Sequence, residues 1–515
     1  MDKNAVSGYS GAIKGNGGRV ALLFLLFLLG IYEFVTAGFT AYAIICFIPI
    51  IILVVLATFR YSMFAFWTLF VVNFFIMWRG KMSLPVPTSL PNEVLEIILL
   101  ALAIIDVKES RFERCGNIML FALIIWCGFC TLEVLNDTCG IGIDITRWYP
   151  VARSIAYQIM YAFLVFSVYI SNPKILNKYL IVWGGLSLFA VFWAWKQKYI
   201  GFTEAEKAWI YGSGRTTHIL QGGTLIRYMS FHNDAANYGI GIASTAVAFI
   251  IFAITSKIKK YKFFFLITGF ACFWGMFPSG TRTAIACFMG GIIAFIFLSK
   301  SFKIAVPVTI LFSLFVFMLA FTKVGEGNQQ IRRMRSAFNR NDASAKARDI
   351  NQEAMKKYMA DAPWGIGMAV GYKNVPANNK YTFMATVPPD SEYVFIWIHT
   401  GIIGITIFLI CTAIMIGGAC WIVLFKLKSP SLRGIGIGLT CAMVSQQIGG
   451  YGNQILMQFP NCLIFYGGLT IVYVLPWIEQ EWIEYENAQL AIQEEKKRIK
   501  LEKKKESRVK GMLPW

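Results

Sequence analysis

The chain is 515 residues long, 57% hydrophobic and only 15% charged, and its 48 Lys and Arg against 28 Asp and Glu give a formal net charge of +20. Soluble domains carry about 25% charged residues, so an ordinary globular enzyme is excluded and an all-α integral membrane protein is the reading that remains. The eleven cysteines fall mostly inside apolar runs, as Cys127, Cys272, Cys287 and Cys441 do, with no His/Cys cluster at zinc spacing, and they read as small hydrophobes rather than a disulfide framework.

Residues 1–18 are polar and Gly-rich, lack a cleavage-site pattern and lead into a retained first helix. Apolar stretches of about 17–25 residues then place spans near 19–37, 41–59, 61–78, 93–106, 117–135, 151–171 and 177–195. A second series falls near 238–255, 263–277, 283–299, 304–322, 401–422, 433–450 and 460–477. The segment 93–106 is the shortest and also suits an interfacial helix, so the expected total is about 12–14 transmembrane helices.

Lys and Arg collect in short cytoplasmic loops. With a cytoplasmic N-terminus (Lys3, Lys14, Arg19), every second loop is basic: Arg60; Lys108, Arg111 and Arg114; Lys174 and Lys178; Lys257 to Lys262; Lys300 and Lys303; Lys426, Lys428 and Arg433. The expected organisation is a cytoplasmic N-terminus (1–18), an N-terminal bundle (19–195), an outer-face loop (196–237), further helices (238–322), a large outer-face loop (323–400), C-terminal helices (401–477) and a charged cytoplasmic helix (478–515). In that last segment acidic residues give way to basic ones, which suits a helix dipole and a solvated helix near anionic lipid. The large loop breaks the charge rule with nine Lys and Arg, among them Arg332, Arg333, Arg335, Arg340 and Arg348, against four carboxylates between Lys323 and Lys357. Long loops tolerate such charge, but clustered guanidiniums also fit phosphate or carboxylate recognition.

Three short stretches lie on the expected outer face. Arg227-Tyr-Met-Ser-Phe-His232-Asn233-Asp234-Ala-Ala-Asn237 precedes a helix, where its polar residues either cap that helix or present donors to an anion. Pro278-Ser-Gly-Thr-Arg282-Thr forms a tight hairpin between two spans, and an arginine at an apolar margin either snorkels or binds. Pro363-Trp-Gly-Ile-Gly-Met and Pro388-Pro-Asp390-Ser-Glu392-Tyr393 precede a helix opening at Gly401, where the two carboxylates serve as caps, as partners of the loop arginines or as proton acceptors.

In order and spacing these stretches resemble the O-antigen ligase and Wzy-type polysaccharide polymerase superfamily. Arg227-x-x-Ser-Phe231-x-Asn233-x-x-x-Asn237 is similar to its Arg-x-x-Gly-x-Phe-x-Asn-Pro-Asn segment, with Ser230 in the usual glycine position. Pro278-Ser-Gly-Thr-Arg282-Thr resembles its Thr-Gly-Ser-Arg turn, and Arg348 with Pro363-Trp-Gly-Ile-Gly resembles the elements of its large loop. Asp390-Ser-Glu392-Tyr393 before Gly401-Ile-Ile-Gly404 is similar to its His-Asn-x-Tyr and Gly-x-x-Gly segment, with Asp390 standing where the ligases carry histidine, a departure that suits the polymerases.

The resemblance implies a C-type glycosyltransferase-like fold in a bacterial inner membrane, with both termini cytoplasmic and the active site facing the periplasm. It implies transfer, without metal or other cofactor, from an undecaprenyl-diphosphate-linked oligosaccharide to a sugar hydroxyl. Arg227 and Arg282 would stabilise the leaving diphosphate, with Arg215 and Arg348 as further binding groups. Asp390, or else Glu392 or His232, would handle the acceptor proton, and Asn233, Asn237 and Tyr393 would line the site. The expected activity is polymerisation of surface polysaccharide repeat units, with ligation to a lipid or protein acceptor as the alternative and transport of lipid-linked sugars as the second. Expected partners are the lipid-linked glycan and membrane lipid, with room for a chain-length regulator and none for nucleic acid.

Overall fold

The computed structural model describes residues 24, 25, 28, 61–78, 90–105, 111–220, 225–324, 327–335, 343–371, 374–386 and 391–510. The chain divides into two units, Met1–Thr68 and Leu69–Trp515. Residues 24, 25, 28 and 62–68 of the first unit are helical, and the rest of the spans expected at 19–37 and 41–59 lies outside the described residues.

The apolar runs are helices because a segment in lipid must satisfy its own backbone N–H and C=O groups. Among the described residues seven helices are long and apolar enough to cross a membrane, and three shorter apolar helices accompany them. After α1 (Ser62–Phe75) and α2 (Leu90–Ile105), α3 (Ile118–Leu132) starts where the Asn117 side chain accepts the N–H groups of Met119 and Leu120. α2 packs on α5 (Gln158–Tyr169) with Asn92, Glu93 and Glu96 buried. Asp144 caps α4 (Ile145–Ala152), which passes through one wide turn at Arg153–Tyr157 into α5 (Gln158–Tyr169). Asn172 and Pro173 open α6 (Pro173–Tyr199), with the proline at a position where its missing N–H costs nothing.

The expected loop 196–237 holds α7 (Glu204–Tyr211), α8 (Arg215–His218) and a short antiparallel hairpin of β1 (Ile219–Leu220) and β2 (Leu225–Ile226), with Ile219 opposite Ile226. Then follow α9 (Ala235–Thr255), α10 (Lys259–Gly275), α11 (Arg282–Leu298) and α12 (Phe302–Phe321). α9 is the central helix: rich in Ala, Gly and Ser, it lets α10, α11 and the later Gly-rich α17 (Pro430–Gly452) approach closely.

The described residues of the large loop include α13 (Gln329–Arg335), which packs on the Phe277–Ser279 turn, α14 (Ala343–Met359) and α15 (Thr382–Thr386). Met355, Met359, Ile366, Tyr381 and Met384 form a core closed by Cys139 and by Ile398 of α16 (Glu392–Trp421). α16 is broken at Gly401, whose φ of 68° is left-handed. The Pro363–Gly367 segment fills the break: Ile366 N–H donates to Ile398 O at 2.9 Å, Gly367 N–H to His399 O at 3.1 Å, and Ile403 N–H to Pro363 O at 3.2 Å. A Cβ on Gly401 would lie 2.0 Å from Pro363 O, and one on Gly365 2.4 Å from the His399 carbonyl carbon. The two glycine motifs are therefore one backbone joint.

The last span and the charged tail are a single helix, α18 (Asn461–Lys510), about 75 Å long at 1.5 Å per residue. Its acidic part clasps the neighbouring loops: Glu479 accepts the N–H groups of Lys428 and Ser429 at 2.7 Å, and Glu486 pairs with Lys257 at 3.1 Å. The span and the charged helix expected after 477 are thus continuous, with partners for the first polar turns.

Candidate functional site

The turn joining α10 to α11 is built by its own residues. Pro278 sits in a single tight helical turn (Phe277–Ser279), Gly280 takes the left-handed conformation at φ 57°, and Ser279 Oγ accepts the Thr281 N–H at 3.1 Å. Thr281 Oγ1 donates to Ala235 O at 3.0 Å, which fastens the turn to the first turn of α9.

Arginines flank this turn from two directions. Arg227, just past β2, donates through Nε to Ser279 O at 3.2 Å, through one terminal nitrogen to Thr281 Oγ1 at 2.9 Å and through the other to Thr217 O at 2.9 Å. Arg333, on α13 of the large loop, donates through Nε to Gly280 O at 2.9 Å. A Cβ on Gly280 would stand 3.5 Å from Arg227 Cγ and 3.6 Å from Arg333 Cδ, so both side chains lie close to it. Arg282 is the first residue of α11, and all three arginines are half-buried.

Burial first, and then repulsion from Arg333 and Arg282, lowers the Arg227 pKa to about 10, against a partial offset from Asp234. It stays protonated at neutral pH. Asp234 offers limited relief, since its Oδ1 already accepts the N–H groups of Ala236 and Asn237 at 2.7 and 2.8 Å as the α9 cap. Three guanidiniums around one turn form a positive site that can take up an anion with forked hydrogen bonds.

The segment bearing Arg227 has its own supports. His218 Nε2 accepts the Ala235 N–H at 3.1 Å, which puts the ring proton on Nδ1, 3.2 Å from Gly214 O. Ser230 has φ 52°, the conformation glycine adopts most readily, and its N–H donates to Gln197 Oε1 at 2.9 Å. Gln197 in turn donates to Glu206, a fully buried carboxylate that also receives Trp78 Nε1 and Trp193 Nε1 at 3.0 Å and the Thr203 N–H at 2.9 Å. Burial by itself raises the Glu206 pKa, but the hydrogen bonds from Trp193, Thr203, Trp78 and Gln197 outweigh it and hold the carboxyl below its usual range.

The other expected residues gather around a second feature, the 453–460 segment between α17 and α18. Asn233 and Asn237 both donate to Gln458 Oε1, at 3.1 and 2.9 Å, and Asn461 donates to Asn237 Oδ1 at 2.8 Å. Glu392, buried at the start of α16, accepts the Leu456 N–H at 3.0 Å. Asn453 donates to Thr283 Oγ1 at 3.0 Å, beside Arg282, and Tyr393 OH donates to Gln447 O at 2.9 Å.

The structure therefore brings Arg227 and Arg282 together and places Asn233, Asn237 and Glu392 on the 453–460 segment. His232 is buried between Phe74 and Tyr238, and burial lowers its pKa to about 3, which leaves a neutral ring. Arg215 is exposed at the start of α8. Arg348 falls on α14, its side chain outside the described part, and Asp390 lies outside the described residues. Among the described residues no three His, Cys, Asp or Glu side chains gather as a metal site would require.

Sequence reasoning missed Arg333 as a site residue and the 453–460 segment altogether. The first was visible only as one of many loop arginines. The second left a trace in Asn453, Gln454, Gln458 and Asn461, polar residues crowded between two apolar helices.

Residues 264–409 match the O-antigen ligase family model, a segment that holds Arg282, Arg333, the Pro363–Gly367 joint and Gly401. The resemblance is borne out over that segment, which holds three of its four motifs and leaves the Arg227–Asn237 stretch outside, and the match is consistent with the O-antigen ligase and Wzy-type superfamily. No curated protein matches the chain.

Proposed function

We propose that this membrane protein, with its O-antigen ligase family segment, polymerises surface polysaccharide repeat units delivered on a lipid diphosphate. The observation that carries this reading is the packing of Arg227, Arg282 and Arg333 around the 278–281 turn. A glycosyl diphosphate breaks its anomeric C–O bond by leaving as an anion, and preorganised donors at that position favour the transition state over the ground state. The acceptor hydroxyl attacks the anomeric carbon, a new C–O bond forms, and its proton passes to a base. Asp390 takes that part, two residues before Glu392, because Glu392 is buried and already accepts backbone N–H groups of the 453–460 segment.

In this reading the end of the bundle that carries the arginine site faces the periplasm of a bacterial inner membrane, and the charged end of α18 lies in the cytoplasm. Alternation of basic loops supports that orientation. The family model is described as an O-antigen ligase, which favours a second reading in which the same donor site serves a lipid or protein acceptor. Turnover of a lipid-diphosphate-linked repeat unit by Arg282→Ala and Arg282→Lys tests the site. Both should fail, the lysine because a point charge cannot fork, and normal turnover in either would remove Arg282 from it.

A further inference from the structure

Gln197 is buried near the end of α6, and its side-chain amide grips one residue of the neighbouring segment at both backbone polar groups. Oε1 accepts the Ser230 N–H at 2.9 Å, and Nε2 donates to Ser230 O at 3.3 Å. Nε2 also donates to Glu206 Oε1 at 2.9 Å. Glu206 takes two indole N–H groups and the Thr203 N–H as well, so it acts as an acceptor and meets the amide through its nitrogen. The carboxylate thereby fixes which way round the amide faces Ser230.

Ser230 is where this grip matters. Its φ of 52° is left-handed, a conformation that strains a residue with a Cβ. On one side of the bend the chain is moored to α6: Ser230 Oγ donates to Ala190 O at 2.7 Å, and the buried Phe231 ring lies 5.1 Å from both the Phe189 and the Trp193 rings. On the other side, three residues earlier, Arg227 spans Ser279 O, Thr281 Oγ1 and Thr217 O, and the Tyr228 N–H donates to Pro278 O at 3.2 Å. The backbone angle at Ser230 therefore sets how the guanidinium meets the 278–281 turn. A right-handed Ser230 would redirect the chain and draw Arg227 off its acceptors. We propose that Gln197 is a positioning residue: by holding Ser230 in its left-handed bend it aims Arg227, and it strengthens diphosphate binding through that arginine rather than by contact. The inference rests on the reading of the arginine site as a diphosphate site.

The test is equilibrium binding of farnesyl diphosphate to the purified full chain, with thermal unfolding recorded for every variant. Gln197→Met keeps the volume but removes the amide, and it should weaken binding about tenfold, the loss of one charge-assisted hydrogen bond to misalignment. Adding Ser230→Gly should return affinity to within about threefold of wild type, since glycine takes the left-handed bend with little strain. In an Arg227→Ala background Gln197→Met should cost less than about twofold, because its effect passes through the guanidinium that is gone. Gln197→Ala, read in the same way, serves if the methionine variant does not fold. The positioning role is overturned by a folded Gln197 variant that binds as wild type does, by the full loss recurring on top of Arg227→Ala, or by no recovery with Ser230→Gly. Unchanged binding in Arg227→Ala alone would sink the diphosphate reading itself.

Discussion

Replacing Arg333 with alanine separates function from stability at the arginine site. The side chain reaches the turn from the large loop through one hydrogen bond to Gly280 O, 2.9 Å long and half-buried. A charge-assisted bond of this kind contributes about 1.5–3 kcal/mol, less where solvent reaches it. Against that loss stands the repulsion that Arg333 exerts on Arg227, the largest effect on its pKa after burial. The two act in opposite directions, so the melting temperature should move by only a few degrees. Catalysis should suffer far more, since one donor aimed at a developing oxyanion is worth about 2.7–4 kcal/mol, or about 10²–10³ in turnover. Arg227 and Arg282 remain in place, which puts the expected loss near the lower end, about 100-fold. The assay is product formation from a lipid-diphosphate-linked repeat unit by detergent-purified protein, with thermal unfolding recorded on the same preparation. A fall in turnover smaller than about twofold would refute the assignment, as would an equally large collapse of stability and activity together.

Other substitutions probe the supports. Glu206→Leu strands four donors at about 1–3 kcal/mol each, so the protein should unfold at lower temperature or fail to accumulate. The milder Glu206→Gln tests the charge: a carboxyl held below its usual range adds stability above its unfolded pKa of about 4.3, and that stability is lost as pH falls through the lower folded value. Its melting deficit against wild type should be full at pH 7 and shrink below about pH 4; a pH-independent deficit would show that the charge is not what matters. Asp390→Asn should abolish turnover in well-folded protein, whereas Glu392→Gln should act mainly on thermal stability through the 453–460 segment. Gly401→Ala meets Pro363 O at 2.0 Å and should undock the large loop, seen as new protease cleavage within 323–400.

Much of the helical scaffold was legible because hydrophobic runs are local. Expected spans at 117–135, 238–255 and 263–277 correspond to helices Ile118–Leu135, Ala235–Thr255 and Lys259–Ser279. The helix opening placed at Gly401 coincides with the break in α16, since Gly-rich motifs declare special backbone needs in the sequence itself. What escaped depends on partners far away in the chain. Glu206 is buried where two indoles and two amide groups converge on it from residues 78 to 203, which no window of sequence contains. Arg333 became distinct from Arg332 and Arg335 only when α13 laid it on Gly280. That the last span and the charged helix after it are continuous was not legible either, since the acidic turns after 478 are held by Lys257 and the 428–429 backbone.

The proposed glycan polymerase needs only its lipid-diphosphate-linked repeat unit to build a chain. The most direct measurement is to incubate the purified protein with its lipid-diphosphate-linked repeat unit alone and resolve the products by size. A ladder of regular spacing, absent in Arg227→Ala, is the expected result. No ladder with authentic substrate and folded protein, but a single transfer once a lipid or protein acceptor is added, would contradict it in favour of a ligase.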